Sequence, residues 1–174
     1  LDEAVAPSAP TAPRAVPTTP AGALERQLPA AMVTAVQQGV LDNRRLGAIL
    51  TRPQQLSAPL GDALFTSIST AWRTDIPAAQ ASQGATLDRL ATQRSRVRIV
   101  SQGGTLGDDT GSFPVTIRNQ LDQAVVVRLA VTSTDPLRLR VEGPDDRIRI
   151  AAARPALVEV TLVAVTSGRL SVDA

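Results

Sequence analysis

The chain has 174 residues, a formal charge of +2 and 43% hydrophobic residues, enough for one ordinary domain or a small domain with an appended subdomain. It contains no Cys and no His, which excludes disulfide stapling, Ser-His-Asp and Cys-His nucleophilic systems, and the usual zinc sites. Aromatic residues make up only 2%, namely Phe65, Trp72 and Phe113. The core must therefore be aliphatic, and an aromatic glycan cleft or single-strand nucleic-acid platform is disfavoured.

All 18 basic residues are Arg, as the codon use of a GC-rich genome would produce. They are nearly balanced by 16 acidic residues, so no nucleic-acid partner is expected. No apolar run reaches the roughly 18 residues that cross a bilayer. The chain starts at Leu1 with no charged-then-apolar leader, which suggests a processed or excised piece of something longer.

Residues 1–22 carry Pro7, Pro10, Pro13, Pro17 and Pro20 among Ala, Ser and Thr. Proline removes backbone donors and no apolar period appears, so this is expected to be a disordered, polyproline-like Pro/Ala linker.

Residues 23–95 read as a helical subdomain of three or four short helices folded as hairpins. A first helix covers Pro29 to Val40, with Met32, Val33, Val36 and Val40 on its apolar face and Gly39 weakening its end. Asp42 reads as the N-cap of a short helix carrying Leu46, Ile49 and Leu50, stopped by Pro53. Ser57 reads as the next cap. Leu60, Leu64, Ile68 and Trp72 then follow at steps of four, the clearest amphipathic stripe in the chain. Asp75 caps a last helix running to about Arg94, which Gly84 interrupts.

From Arg96 the hydrophobic period becomes two, and residues 96–174 read as an antiparallel immunoglobulin-like β-sandwich. Val97 and Ile99 open it. Phe113, Val115 and Ile117 alternate with polar or small residues, and after the turn Asn119–Gln123 so do Val125, Val127, Leu129 and Val131. These two runs read as a hairpin on which the second half of the chain is built. Leu137, Leu139 and Val141 follow, then Ile148 and Ile150, then Val158, Val160 and Leu162, then Leu170 and Val172 beyond Gly168. Arg on the outer face of three strands discourages edge-to-edge pairing. The sandwich is expected to be truncated near Ala174, with a closing strand or partner beyond. The fold class is thus α+β.

The run SFPVTIRNQLDQAVVVRLAVTSTDPLRLRV, Ser112–Val141, together with the helical stretch around Trp72-Arg73, resembles an actinobacterial family of uncharacterised exported proteins. The likeness covers about residues 55–174. It implies a large envelope protein with a signal peptide, a C-terminal immunoglobulin-like sandwich and a transmembrane helix after it. It also implies a gene beside that of the lipid II flippase. No catalytic residue carries over from the resemblance.

Constellations with chemistry are few. Gly107-Asp108-Asp109-Thr110-Gly111 and Asp145-Asp146 are the carboxylate-rich turns. Ca²⁺ needs six to eight oxygen ligands, and capping of turn amides accounts for these residues better. Paired carboxylates of a glycosidase would need a desolvated partner, which solvated turns do not provide. Arg94, Arg96 and Arg98 form the densest basic run and read as a solvated strand face plus a helix C-terminus. Gly103-Gly104 precedes neither a Lys nor a helix, so it is no phosphate loop. Asn119 is expected to bond the turn backbone.

No catalytic, cofactor-binding or metal-ligating residue is assigned, and no enzyme activity is expected. The expected role is a membrane-proximal structural or protein-interaction segment, extracytoplasmic and membrane-anchored. Its partner would be another envelope protein, the flippase or an upstream domain of the same polypeptide. The alternative is a glycan-binding accessory module beside an upstream catalytic domain.

Overall fold

Met32, Val36, Gly39, Asn43 and Leu46 are all buried, a spacing that repeats every 3.6 residues and selects one face of a helix. In the computed structural model they lie on one unbroken helix, α1, Ala30–Ile49. The structure describes residues 27–100, 108–143 and 147–165, and the backbone of Val172 and Asp173. The linker expected over 1–22, Gly103-Gly104, Asp145-Asp146, Gly168 and Leu170 lie outside the described residues.

The expected break near Gly39 is therefore corrected. Gly39 sits mid-helix where the three helices converge: a Cβ there would come within 2.7 Å of Leu87 Cδ2 and 3.2 Å of Leu64 Cδ2. It permits close packing and does not end the helix. Asp42 is likewise no cap but an interior residue of α1.

A 3-10 helix at Pro53–Gln55 leads into α2, Ser57–Thr66. Ser57 makes no capping bond; its Oγ donates to the Asn43 carbonyl at 3.3 Å. Leu60 and Leu64 are buried as the stripe requires, but the helix does not carry it on to Ile68 and Trp72. Ser67, itself buried, donates its hydroxyl to the Leu64 carbonyl at 2.7 Å, and the chain turns into a second 3-10 helix, Thr70–Thr74. Trp72 lies there, its indole N–H donating to the Thr66 carbonyl at 2.9 Å.

Asp75 does cap α3, Ile76–Ser95: its Oδ1 accepts from the Ala78 N–H at 3.0 Å. Gly84 does not interrupt this helix. Nothing lies within 4 Å of its missing Cβ, so it is an ordinary weak point in an otherwise continuous run.

One residue after α3 the strands begin. They are β1 Val97–Val100, β2 Thr110–Asn119, β3 Val125–Val127, β4 Thr132–Ser133, β5 Leu139–Glu142, β6 Ile148–Ile150, β7 Pro155–Ala164 and β8 Val172–Asp173. All the pairings are antiparallel. One sheet has the order β1-β2-β7-β5, while β3 pairs with β6 and β4 with β8. The fold is α+β.

The predicted hairpin is corrected here. Both strands exist, but β2 lies between β1 and β7, and β3 lies in another sheet against β6. The turn carries the chain across from one sheet to the other. Leu121 at its tip is buried in the common core, which pulls the turn inward. Ile117, Val115, Val158 and Val160 of one sheet join Val125 and Ile150 of the other in a single apolar cluster. Helical Val36, Leu46, Leu60, Leu64 and Leu90 belong to that same cluster. Each such aliphatic side chain contributes about 1.5–3 kcal/mol when fully buried.

Two further inward expectations fail. Leu137 is 85% exposed, because the Asp135 carbonyl accepts from the N–H groups of Arg138 and Leu139 and closes a turn there. Ile99 is more than a third exposed, because β1 is an edge strand with only β2 beside it.

Candidate functional site

The most densely bonded polar group of the described fold sits where α1, β2 and β3 meet. Asn119 ends β2 and is 1% exposed. Its Nδ2 donates to the carbonyls of Gln123 and Ala151, both at 2.9 Å, with the Ile150 carbonyl at 3.4 Å. Its Oδ1 accepts from the Leu121 N–H at 3.0 Å. A buried amide with both ends satisfied holds its surroundings in one arrangement. Here it ties the turn after β2 to the end of β6. Nearby, Ala153 adopts a positive φ of 51° and its N–H donates to the Leu121 carbonyl at 3.0 Å. The expectation that Asn119 bonds the turn backbone is met, and its reach to residues 150 and 151 extends it.

The same turn holds the helices. The Thr51 N–H and hydroxyl both donate to the Ala124 carbonyl, at 3.2 and 2.8 Å. The Arg52 N–H donates to Gln123 Oε1 at 2.9 Å, and Gln123 is buried. Leu50 forms an isolated bridge with Val125. Backbone and side-chain bonds thus bolt the end of α1 to the start of β3. Sequence reasoning missed Thr51 and Gln123, because their partners lie more than seventy positions away. Two buried amides stiffen the helices: Gln83 Nε2 donates to the Met32 carbonyl at 2.7 Å, and Asn43 Nδ2 to the Ser57 carbonyl at 2.8 Å.

The residues weighed for chemistry do not converge. Asp108 and Asp109 are exposed at the foot of β2, and the Asp109 backbone carbonyl accepts from the Ala164 N–H at 2.6 Å. Among the described residues no three acidic side chains gather to hold a metal. The Arg94-Arg96-Arg98 run is dispersed. Arg94 bridges α3 to α1 through Asp42 at 2.8 Å, Arg96 accepts from the Gln120 N–H through its carbonyl at 2.8 Å, and Arg98 stands exposed on β1 opposite Arg118.

Asp42 also holds Arg45 at 3.3 Å. Both Arg side chains are well exposed, so Asp42→Asn is expected to cost no more than about 1 kcal/mol in chemical unfolding. A loss of several kcal/mol would show that this pair is more than a surface contact.

A shallow groove of about 260 Å³ runs between α1 and α3 beside Gly39, Leu87, Leu90 and Arg94. It is smaller than the usual range for ligand pockets, about 300–1,000 Å³, and its polar lining is Gln38 with the Asp42–Arg94 ion pair, whose charges satisfy each other. Among the described residues no helix is long and apolar enough to cross a membrane. The arrangement is a hydrogen-bonded joint between the end of α1 and the turn before β3.

No curated protein matches the chain. The match is to a family of unknown function, DUF6049, and it runs over residues 1–174. With its whole length inside that match, the chain belongs to the DUF6049 family.

Proposed function

We propose that the chain is a non-catalytic, rigid interaction segment of an exported, membrane-anchored envelope protein, with an immunoglobulin-like sandwich braced by the helices. The observation that carries the reading is the joint. Thr51 and Arg52 grip the turn at Gln123 and Ala124, and helices and strands share one core. Such a body transmits position without bending.

Within its own sheet the order β1-β2-β7-β5 ranks as A-B-E-D does in immunoglobulin sandwiches, which supports that part of the reading, although β6, the partner of β3, precedes β7 in the chain. The actinobacterial source, the envelope location and the link to peptidoglycan precursor export rest on the resemblance through Ser112–Val141. The partner on this reading is an envelope protein, the lipid II flippase or an upstream domain of the same polypeptide.

Thermal unfolding tests rigidity. Helix dichroism and the strand amide I infrared band are expected to report one coincident transition. Combining Gln123→Ala with Thr51→Val is expected to separate the two signals, because it removes side-chain bonds between the halves. Two transitions in the unaltered chain would remove the rigid-segment reading. Protease accessibility of the parent protein on intact cells tests location, and full protection there would overturn the envelope assignment.

A second reading, a glycan-binding accessory module, draws support from one corner of the helices. Phe65 is 58% exposed, and Trp72, partly buried, lies in the same helical half. Saturable binding to isolated wall polysaccharide, lost in Trp72→Ala, would favour it over the first.

A further inference from the structure

We propose that the outer face of the four-stranded sheet docks a second copy of this chain. The inference goes beyond the reading above and holds in any compartment. Strand register arranges the outward side chains in rows. Arg98 stands opposite Arg118, which stands opposite Pro155. The next row is Val100, Thr116 and Leu157. Then come Pro114 with Glu159, Ser112 with Thr161 and Glu142, and last Thr110 with Val163 and Arg140. The alternate residues Val115, Ile117, Val158, Val160 and Leu162 are buried on the opposite face, with the helices.

This outer face is ordered by charge along the strands. At one end two Arg sit directly opposite each other, a placement that destabilises a sheet on its own. Farther along, Glu159 and Glu142 lie on a diagonal of β7 and β5. Arg98, Arg118, Glu142 and Glu159 make no ion pair among the described residues. Between the two ends stand Leu157, 66% exposed, and Val100, 40% exposed. The face thus runs basic, apolar, acidic, with Arg140 exposed in the row beyond the acidic pair.

A two-fold axis lying in the contact plane beside Leu157 brings the ends together. It sets Arg98 and Arg118 of each copy over Glu159 and Glu142 of the other, and places Leu157 against its own equivalent. An isologous contact requires this self-complementarity. A flat polyanion or an anionic bilayer would have to cover Glu142 and Glu159, which lie between Arg140 and the basic pair, about 13–20 Å from that pair by strand spacing. An acidic peptide would satisfy only one end.

Two strands of ten residues and two of four offer on the order of 450 Å² per copy. That is at the low end for specific interfaces, so the dimer is weak and reversible.

Sedimentation equilibrium of the 174-residue chain tests this over a wide concentration range, at low and high salt. A monomer–dimer equilibrium weakened by salt is expected. Arg118→Glu alone and Glu159→Arg alone should each raise Kd at least about ten-fold, since each sets like charges together across the contact. The double variant should return to within about three-fold of the original. Both substitutions lie at exposed positions, and dichroism confirms folding. A chain that stays monomeric throughout overturns the proposal. So does a dimer indifferent to both reversals, or a double variant no tighter than the singles. Cosedimentation of a monomeric chain with phosphatidylglycerol vesicles would replace it with a membrane-docking face.

Discussion

Asn119→Ala is expected to lower unfolding stability by about 4 kcal/mol, and Asn119→Asp by more. Alanine removes the donor that serves the Gln123 and Ala151 carbonyls and the acceptor that serves the Leu121 N–H. Each buried group left without a partner costs about 1–3 kcal/mol. Aspartate keeps the shape and the acceptor but turns a carboxylate toward carbonyl oxygens in a site 1% exposed. Burial disfavours its charged form, so the deficit of the Asp variant should shrink as pH falls and the carboxyl takes up a proton. Urea unfolding of the three proteins at neutral and acidic pH measures both effects. A loss below about 1 kcal/mol for alanine, or an aspartate variant as stable as the original, would mean that Asn119 does not hold the turn after β2.

The second large effect belongs to Gly39. A Cβ at this position meets Leu87 Cδ2 at 2.7 Å and both Leu64 methyl groups at 3.2–3.3 Å. Leu87 is half-buried and can shift, whereas Leu64 is fully buried and cannot. Gly39→Val should therefore cost about 3 kcal/mol through overpacking. Gly39→Ala should cost about 1 kcal/mol, because the clash outweighs a helix-propensity gain of similar size. Gly84→Ala is the control. It has open space around it and should stabilise α3 by about 0.5–1 kcal/mol. Equal gains from both alanines would show that the helices are not held together at Gly39.

The same pair shows where local rules stop. Both glycines sit inside apolar helical patterns, and one rule read both as weak points. At Gly84 the helix runs through and only open space surrounds the missing Cβ. At Gly39 the decisive fact is the approach of Leu64 and Leu87, which lie 25 and 48 positions on. No window along the chain contains that fact. Asp75 is the opposite case. A capping carboxylate bonds an amide three residues away, so its role can be read locally.

The strands divide in the same way. Alternation marks Val115, Ile117, Val125, Val158 and Val160 as inward, and all five are buried. A period of two records only which side chains face the core. It is identical for two strands paired in a hairpin and for two strands that cross from one sheet to another. The amino-acid order alone therefore determined the α+β class, the switch of period at Arg96, the cap at Asp75 and the backbone-bonding role of Asn119. Tertiary packing decided that β2 pairs with β1 and β7, that α1 continues through Gly39, and that Thr51 and Gln123 join the halves. These choices depend on burial and hydrogen bonds shared between distant segments, and such energies exist only once the chain has closed on itself.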